Sequence, residues 1–387
     1  MDAPYNILSL IIAWALLMLS TTSTTRSCRG AWFGSLAVDD SFVSWDDLMV
    51  SSNKRNGLQA GEGGGGRVIV VSRDGSGDSR TVQEAVDMVP DGNNERVKIL
   101  VSPGVYREKV TIPITKPYIS LIGEAGSART TVISWHSRAS DRDTDGQAVG
   151  TFYSASFAVE SDYFCANGIT FECNILGSQD TLFDHSGRHY FFDCYIQGSI
   201  DFIFGDARSL YQVSQKKFRP SRYLVIYTSR SRSQMFADRK FSYGFCVSCR
   251  EISDIMISKQ NCRLHAVAST YGAIAASQRD SPSDDSGFSF LSCRITGSGM
   301  NYLGRAWGRY ARVVYSYCEM DGIIIPEGWS DWGDPSRART AWFGEYNCRG
   351  KGADSRRRVP WARSLSYDEA RPFLDRNFID GEQWLNL

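Results

Sequence analysis

The sequence carries no net charge, its 43 Lys+Arg balancing 43 Asp+Glu. No global field therefore recruits nucleic acid, and none is expected as a partner. Only one long apolar run is present, residues 7–19, and no later stretch approaches the roughly 20 apolar residues of a bilayer span. The four histidines, His136, His185, His189 and His265, stand at no metal-ligand spacing. Cys246 and Cys249 form a lone CxxC without a second pair or a thioredoxin-like context, so no metal site is expected. The leader has no Lys or Arg ahead of its apolar run. That run is nevertheless short for a span and is followed by small residues through Ser23. Residues 1–25 are read as a secretory signal peptide and the protein as secreted.

Ten cysteines in a secreted chain permit disulfides. Cys165, Cys194, Cys293 and Cys318 sit in apolar strand-like runs, where a buried free thiol is equally compatible. Residues 26–67 are polar and irregular and end in Gly61-Glu62-Gly63-Gly64-Gly65-Gly66. That run precedes a strand instead of following one, so it reads as a linker and not as a phosphate loop. From Val68 onward, short β-rich runs alternate with Gly, Asn, Asp and Ser. Helical patterns occur only at 81–89 and near 368–373.

One frame occurs twice. CNILGSQDTLF from Cys173 and CYIQGSIDFIF from Cys194 share a cysteine, an aliphatic two residues on, Gly-Ser, and an aspartate seven residues after the cysteine. The offset of 21 predicts a solenoid with one short strand per side of each coil, an all-β, single-stranded, right-handed parallel β-helix with short terminal helices. Equivalent positions of neighbouring coils then lie about 4.8 Å apart. Asp180 and Asp201 fall one above the other, and carboxylates that close split into an acid and a base. A turn written twice by Gly-Ser-x-Asp explains the same pattern equally well.

Residues 213–260 break the repeat. The window 212–261 carries ten Lys/Arg against three acids, a local excess of +7 that the remainder offsets. Cys262 opens a further Cys-x-aliphatic frame 68 residues after Cys194, and removing these 48 residues restores a period of 20. Gln212-Val213-Ser214 can be encoded by a splice-donor-like string and Gln260 by an acceptor-like CAG. The segment is therefore read as a retained intron or gene-model error. A basic loop for a polyanionic polymer is the competing reading.

The chain resembles the catalytic domain of plant pectinesterases (pectin methylesterases) from about Val68 to Trp384. The resemblance is carried, in order, by DGSG at 74–77, TVQEAVD at 81–87, GVYREKV at 104–110, DYFCANGITFE at 162–172 and GSQDTLF at 177–183. DFIFG at 201–205, LGRAW at 303–307, IIPEGW at 324–329 and NFIDG at 377–381 follow. No helical inhibitor-like pro-domain is expected ahead of it. The resemblance implies a secreted cell-wall enzyme that converts the methyl esters of homogalacturonan to pectate and methanol without a cofactor. It further implies a monomer and a proteinaceous pectinesterase inhibitor as a candidate partner.

By the same resemblance Asp201 is the nucleophile, Asp180 the acid and then the base, Gln179 an oxyanion donor, and Arg305 the partner that orients Asp201. Trp307, Phe183 and Phe204 offer flat surface to sugar rings, with a core role the alternative for each; the family usually has Tyr where Phe183 stands. About thirty residues that family members carry between the ITFE strand and the cysteine matching Cys173 are absent. They include a second oxyanion glutamine, whose loss costs about 10²–10³ in rate. Gln147 in GQAVG lies too early to replace it. A catalytically impaired or inactive pectin-binding β-helix is thus the alternative function. A lyase or polygalacturonase on the same fold is disfavoured by QDTL, DFIFG and LGRAW.

Overall fold

The computed structural model describes residues 43–44, 67–123, 128–137, 139–142, 144–173, 180–212 and 262–386. The expected signal peptide, most of segment 26–67, the segment 213–260, the Cys246/Cys249 pair and Gln179 lie outside the described residues.

The strands stack in parallel on three faces. The first face runs through Val68–Val71, Val97–Val101, Ile119–Ile122, Phe164–Asn167, Arg188–Phe192, Arg208–Gln212, Gly287–Leu291, Arg312–Ser316 and Trp342–Tyr346. The second runs through Gly104–Arg107, Thr131–Trp135, Thr170–Cys173, Tyr195–Gly198 and the first halves of Arg263–Ser277 and Arg294–Ala306. The third runs through Val110–Ile112, Phe157–Val159, Leu182–Asp184, Ile200–Gly205 and the second halves of those two long strands. This is the expected parallel β-helix. Inward-facing residues fill its bore, and Phe191, Tyr211, Phe290 and Tyr315 stack ring on ring at 4.6, 4.7 and 4.6 Å. Each such pair adds about 0.5–1.5 kcal/mol beyond the area it buries.

Both expected helices form, and each is capped as its sequence dictates. Thr81 makes a capping box with Glu84 at the start of Val82–Asp87, whose Val82, Ala85 and Val86 are buried. Ser366 and Glu369 do the same for Tyr367–Ala370, which continues as a 3-10 turn through Phe373. A third helix, Gly150–Ser154, has no side-chain cap and no periodicity to announce it.

The corner between the first and second faces explains the cysteines. At four turns it takes two residues, the first left-handed and the second buried: Gly168-Ile169, Asp193-Cys194, Ser292-Cys293 and Tyr317-Cys318. Cys194, Cys293 and Cys318 are therefore corner residues and not strand interiors, whereas Cys165 does lie in a strand. Cys173, Cys194, Cys262, Cys293, Cys318 and Cys348 are free thiols.

The repeated frame holds at its aspartate end and fails at its cysteine end. Leu182 pairs with Ile203 and Phe183 with Phe204, the expected offset of 21. Thr170, however, pairs with Tyr195 and Phe171 with Ile196, so Ile169 and not Cys173 stands where Cys194 does. The corner decides this, because Gly168 enters the left-handed region (φ 66°) at little cost while a side chain there costs roughly 1–2 kcal/mol.

At two corners the count changes. Eight residues stand between Ile122 and Thr131, and fifty between Gln212 and Arg263, 48 more than the two at the remaining corners. Stacking nevertheless continues across the longer one, with Tyr195 paired to Arg263 and Arg208 to Gly287.

Candidate active site

Asp180 and Asp201 lead into adjacent strands of the third face, and both are left-handed (φ 67° and 49°), a conformation aspartate tolerates better than most residues. They are 3% and 5% exposed. Gly205, which ends the Asp201 strand at φ 137°, cannot be replaced, since a Cβ there would meet the Asp184 carbonyl oxygen at 2.0 Å. The glycine of DFIFG is thus a packing requirement of the turn.

Arg305 comes from two coils further along. In its outward row Ala158, Phe183, Phe204, Ala276 and Arg305 follow one another in register. Ala276, between Phe204 and Arg305, carries only a methyl group, and the guanidinium crosses it to Asp201. Nε donates to Oδ1 at 2.9 Å and to Oδ2 at 3.1 Å, and Nη2 also donates to Oδ2. Trp332 covers the far side of the guanidinium, which lies 3.9 Å from its ring centre.

Burial pushes the Asp180 carboxyl up to about 7, and the Asp201 charge adds to this, against a Ser154 hydrogen bond and the Arg305 charge. Desolvation therefore dominates, and the neighbouring carboxylate, expected to be the main cause, is secondary. Burial also pushes Asp201 upward, and the Arg305 fork and its charge pull against it. Ser154 Oγ lies 3.1 Å from Asp180 Oδ2 and 2.9 Å from the Thr151 carbonyl oxygen. A hydroxyl has one proton, so it donates to Asp180 when that carboxyl is ionised. When Asp180 is protonated, Ser154 is free to donate to Thr151 and accept from Asp180.

Phe183 and Phe204 stack at 5.0 Å but are only 3% and 1% exposed. They form a floor, and the surface above them is Phe152, Tyr153, Trp307 and Trp332. Phe152 packs on Phe183 at 5.2 Å and on Trp307 at 5.8 Å, and Trp307 on Trp332 at 6.4 Å. A cleft of about 440 Å³ opens beside them, lined by Lys109, Phe152, Tyr153, Phe183, His185 and Glu160 among others. His185 there pairs with Asp206, which raises its proton affinity. His189 is buried with Asp184 and Tyr211 in one hydrogen-bonded group. Gln147 is exposed on a loop.

Sequence reasoning singled out Asp180, Asp201, Arg305 and Trp307, which the fold gathers on one face. It missed Ser154, Phe152 and Trp332. A tryptophan three residues after the GW of IIPEGW was a readable signal for the last, whereas Ser154 had none. The coil before Asp180 is Phe157–Val159, paired directly with Leu182–Asp184. The stack closes over the place of the absent block without a gap.

A family model described as Pectinesterase matches residues 68–172, 168–254 and 252–382. The first two matched stretches meet at the end of the ITFE strand. Among relatives, Pectinesterase QRT1 of Arabidopsis thaliana is 47% identical over 349 residues, covering 83% of this chain and 79% of its own length. Probable pectinesterase 8 of the same organism is 37% identical, covering 82% and 76%. The solved pectin methylesterase from carrot superposes with a TM-score of 0.59 at 28% identity, covering 84% of this chain and 96% of the other. These likenesses make the β-helix the right-handed one of that enzyme class, and the chain belongs to the pectinesterase family of carboxylic ester hydrolases.

Proposed function

We propose that this chain hydrolyses methyl esters of homogalacturonan, with Asp201 as nucleophile and Asp180 as acid and then base. The observation that carries this reading is the asymmetry of two adjacent buried aspartates. One is gripped by Arg305, while burial keeps the other protonated to about pH 7. Asp201 adds to the ester carbonyl, and the Asp180 proton goes to the departing methoxide. Asp180, now ionised, takes one proton from water as the hydroxide adds to the acyl-enzyme. The product leaves as galacturonic acid, which gives its proton to solvent, and Asp201 returns as carboxylate and Asp180 as acid. Gln179 is assigned an oxyanion-donor role on the resemblance of its motif. Trp307 and Trp332 present flat apolar surface to the sugar rings, above the floor of Phe183 and Phe204.

Secretion to the cell wall, action as a monomer and recognition by a proteinaceous inhibitor belong to the same proposal. Methanol release from methyl-esterified pectin tests its core. Turnover that survives Asp201→Ala undiminished would remove Asp201 as nucleophile.

A second reading, a pectin-binding protein with little or no turnover, is favoured by one observation. The coil that would carry a second oxyanion glutamine is absent, and the side chain reaching Asp180 from the preceding coil is Ser154. Binding of pectin without methanol release would select it.

A further inference from the structure

The second face carries a cationic surface that the site above does not use. Arg263 and Arg294 are in-register partners on neighbouring coils, so their side chains leave the sheet one strand spacing, about 4.8 Å, apart. Tyr195 pairs with Arg263 on the other side, and the Arg129 guanidinium lies over the Tyr195 ring at 5.2 Å. The Tyr195 ring stacks on His265 at 5.9 Å, and His265 is fixed by Thr296 Oγ1 at 2.8 Å. The result is three arginines around a two-ring platform.

The acids nearby leave this charge largely unmatched. Glu172 accepts from Gln197, and Glu319 is 3.2 Å from Arg349 but 3.9 Å from Arg294. Asp321 is the one acid that offsets the arginine charges at His265. Among the described residues neither Arg129 nor Arg263 makes an ion pair. The crowding is felt within the cluster: besides desolvation, the charges of Arg129 and Arg294 push Arg263 down, and those of Arg129 and Arg263 push His265 down. Repulsion of this kind is relieved by bound anions.

We propose that this surface binds a run of ionised galacturonates, the de-esterified product, as an exosite separate from the carboxylate pair. A polyuronate presents a carboxylate at each sugar, with apolar ring faces between. Guanidinium forks match the former and the Tyr195–His265 platform the latter. The Asp180–Asp201 pair needs the neutral ester, so a site for the ionised polymer keeps the enzyme tethered to chains it has already begun to demethylate. Tethering raises the local concentration of the remaining esters. The identity of the ligand rests on the pectin reading above; the existence of an anion site does not.

The test uses the full chain carrying Arg129→Gln and Arg263→Gln together. A second double variant, Arg357→Gln with Arg371→Gln at exposed positions elsewhere, removes the same charge. Binding to fully de-esterified polygalacturonate is expected to fall about tenfold or more in the first, which corresponds to about 1.4 kcal/mol, and to stay within twofold in the second. Methanol release from a short, fully methylated oligogalacturonide should be unchanged in both, while KM on long, partly de-esterified pectin rises only in the first. Retained polygalacturonate binding in the first variant overturns the proposal, as does equal loss in both. Equal binding of a sulfated polysaccharide, lost in the same variant, overturns the assignment to uronates. A wild-type chain that releases no methanol yet shows the variant-specific binding loss sinks the catalytic reading and leaves the exosite standing.

Discussion

Arg305 Nε lies 2.9 Å from Asp201 Oδ1 although their strands are two coils apart in the stack. The reach depends on the residue between them being Ala276. Removing the guanidinium leaves a 5% exposed carboxyl with no cation on it, and its pKa rises further. Arg305→Ala is therefore expected to lower kcat for methanol release by at least about 100-fold at neutral pH, the scale of losing a transition-state charge partner. Arg305→Lys should recover little, because a point charge replaces a fork. Ala276→Leu, which fills the crossing point, should approach the same loss. A lysine variant with near-native kcat would show that charge alone suffices.

Asp180 makes a pH prediction with a definite sign. Its folded pKa of about 7 is raised above the ordinary 3.8, so between these values the folded state holds a proton that the unfolded chain releases. Stability from this group is full below about pH 4 and declines as pH rises through about 7. Asp180→Asn should abolish methanol release and raise the thermal midpoint relative to wild type, with the gap widening from pH 4 to pH 7. In wild type, methanol release should decline as pH climbs through about 7, since the first step needs the protonated acid. A stability gap that narrows over this range would contradict the burial argument.

Ser154 is a positioning residue for that acid. Its hydroxyl opposes the raised pKa by donating to the ionised form, so Ser154→Ala should move the alkaline limb of the rate profile upward. It should also cost about tenfold in kcat, since the Asp180 rotamer is no longer held. Ser154→Thr keeps the hydroxyl and should restore the wild-type limb. A merely structural role would lower activity without moving the limb.

The aspartates and their coil-to-coil offset could be read because strand pairing preserves them, 182 on 203 and 183 on 204. The cysteine end of the same frame could not. Cys173 keeps the 21-residue offset to Cys194 while Ile169 stands 25 residues before it, so period alone favours the wrong residue. The left-handed corner at Gly168 decides instead, and a corner is visible only once three faces are known. Helix Gly150–Ser154 was illegible for a different reason. Five residues are shorter than two helical turns, so no apolar spacing repeats, and the Ser154 contact rests on that helix.

The corner between Gln212 and Arg263 gives the last prediction. Coils on both sides pair as though only two residues joined them, although 48 further residues, 213–260, stand between. Closing a loop of that length costs entropy that grows only slowly with length, about 0.6 kcal/mol per doubling. Their deletion, which joins Gln212 to Asn261-Cys262, should recreate the two-residue corner of Asp193-Cys194. The shortened chain is expected to fold with an equal or higher thermal midpoint and no lower methanol release. Transcripts lacking these 48 codons should outnumber those that keep them, if the segment is a retained intron. A deletion that fails to fold, alongside transcripts that run uninterrupted through the segment, would instead make it an integral part of the protein.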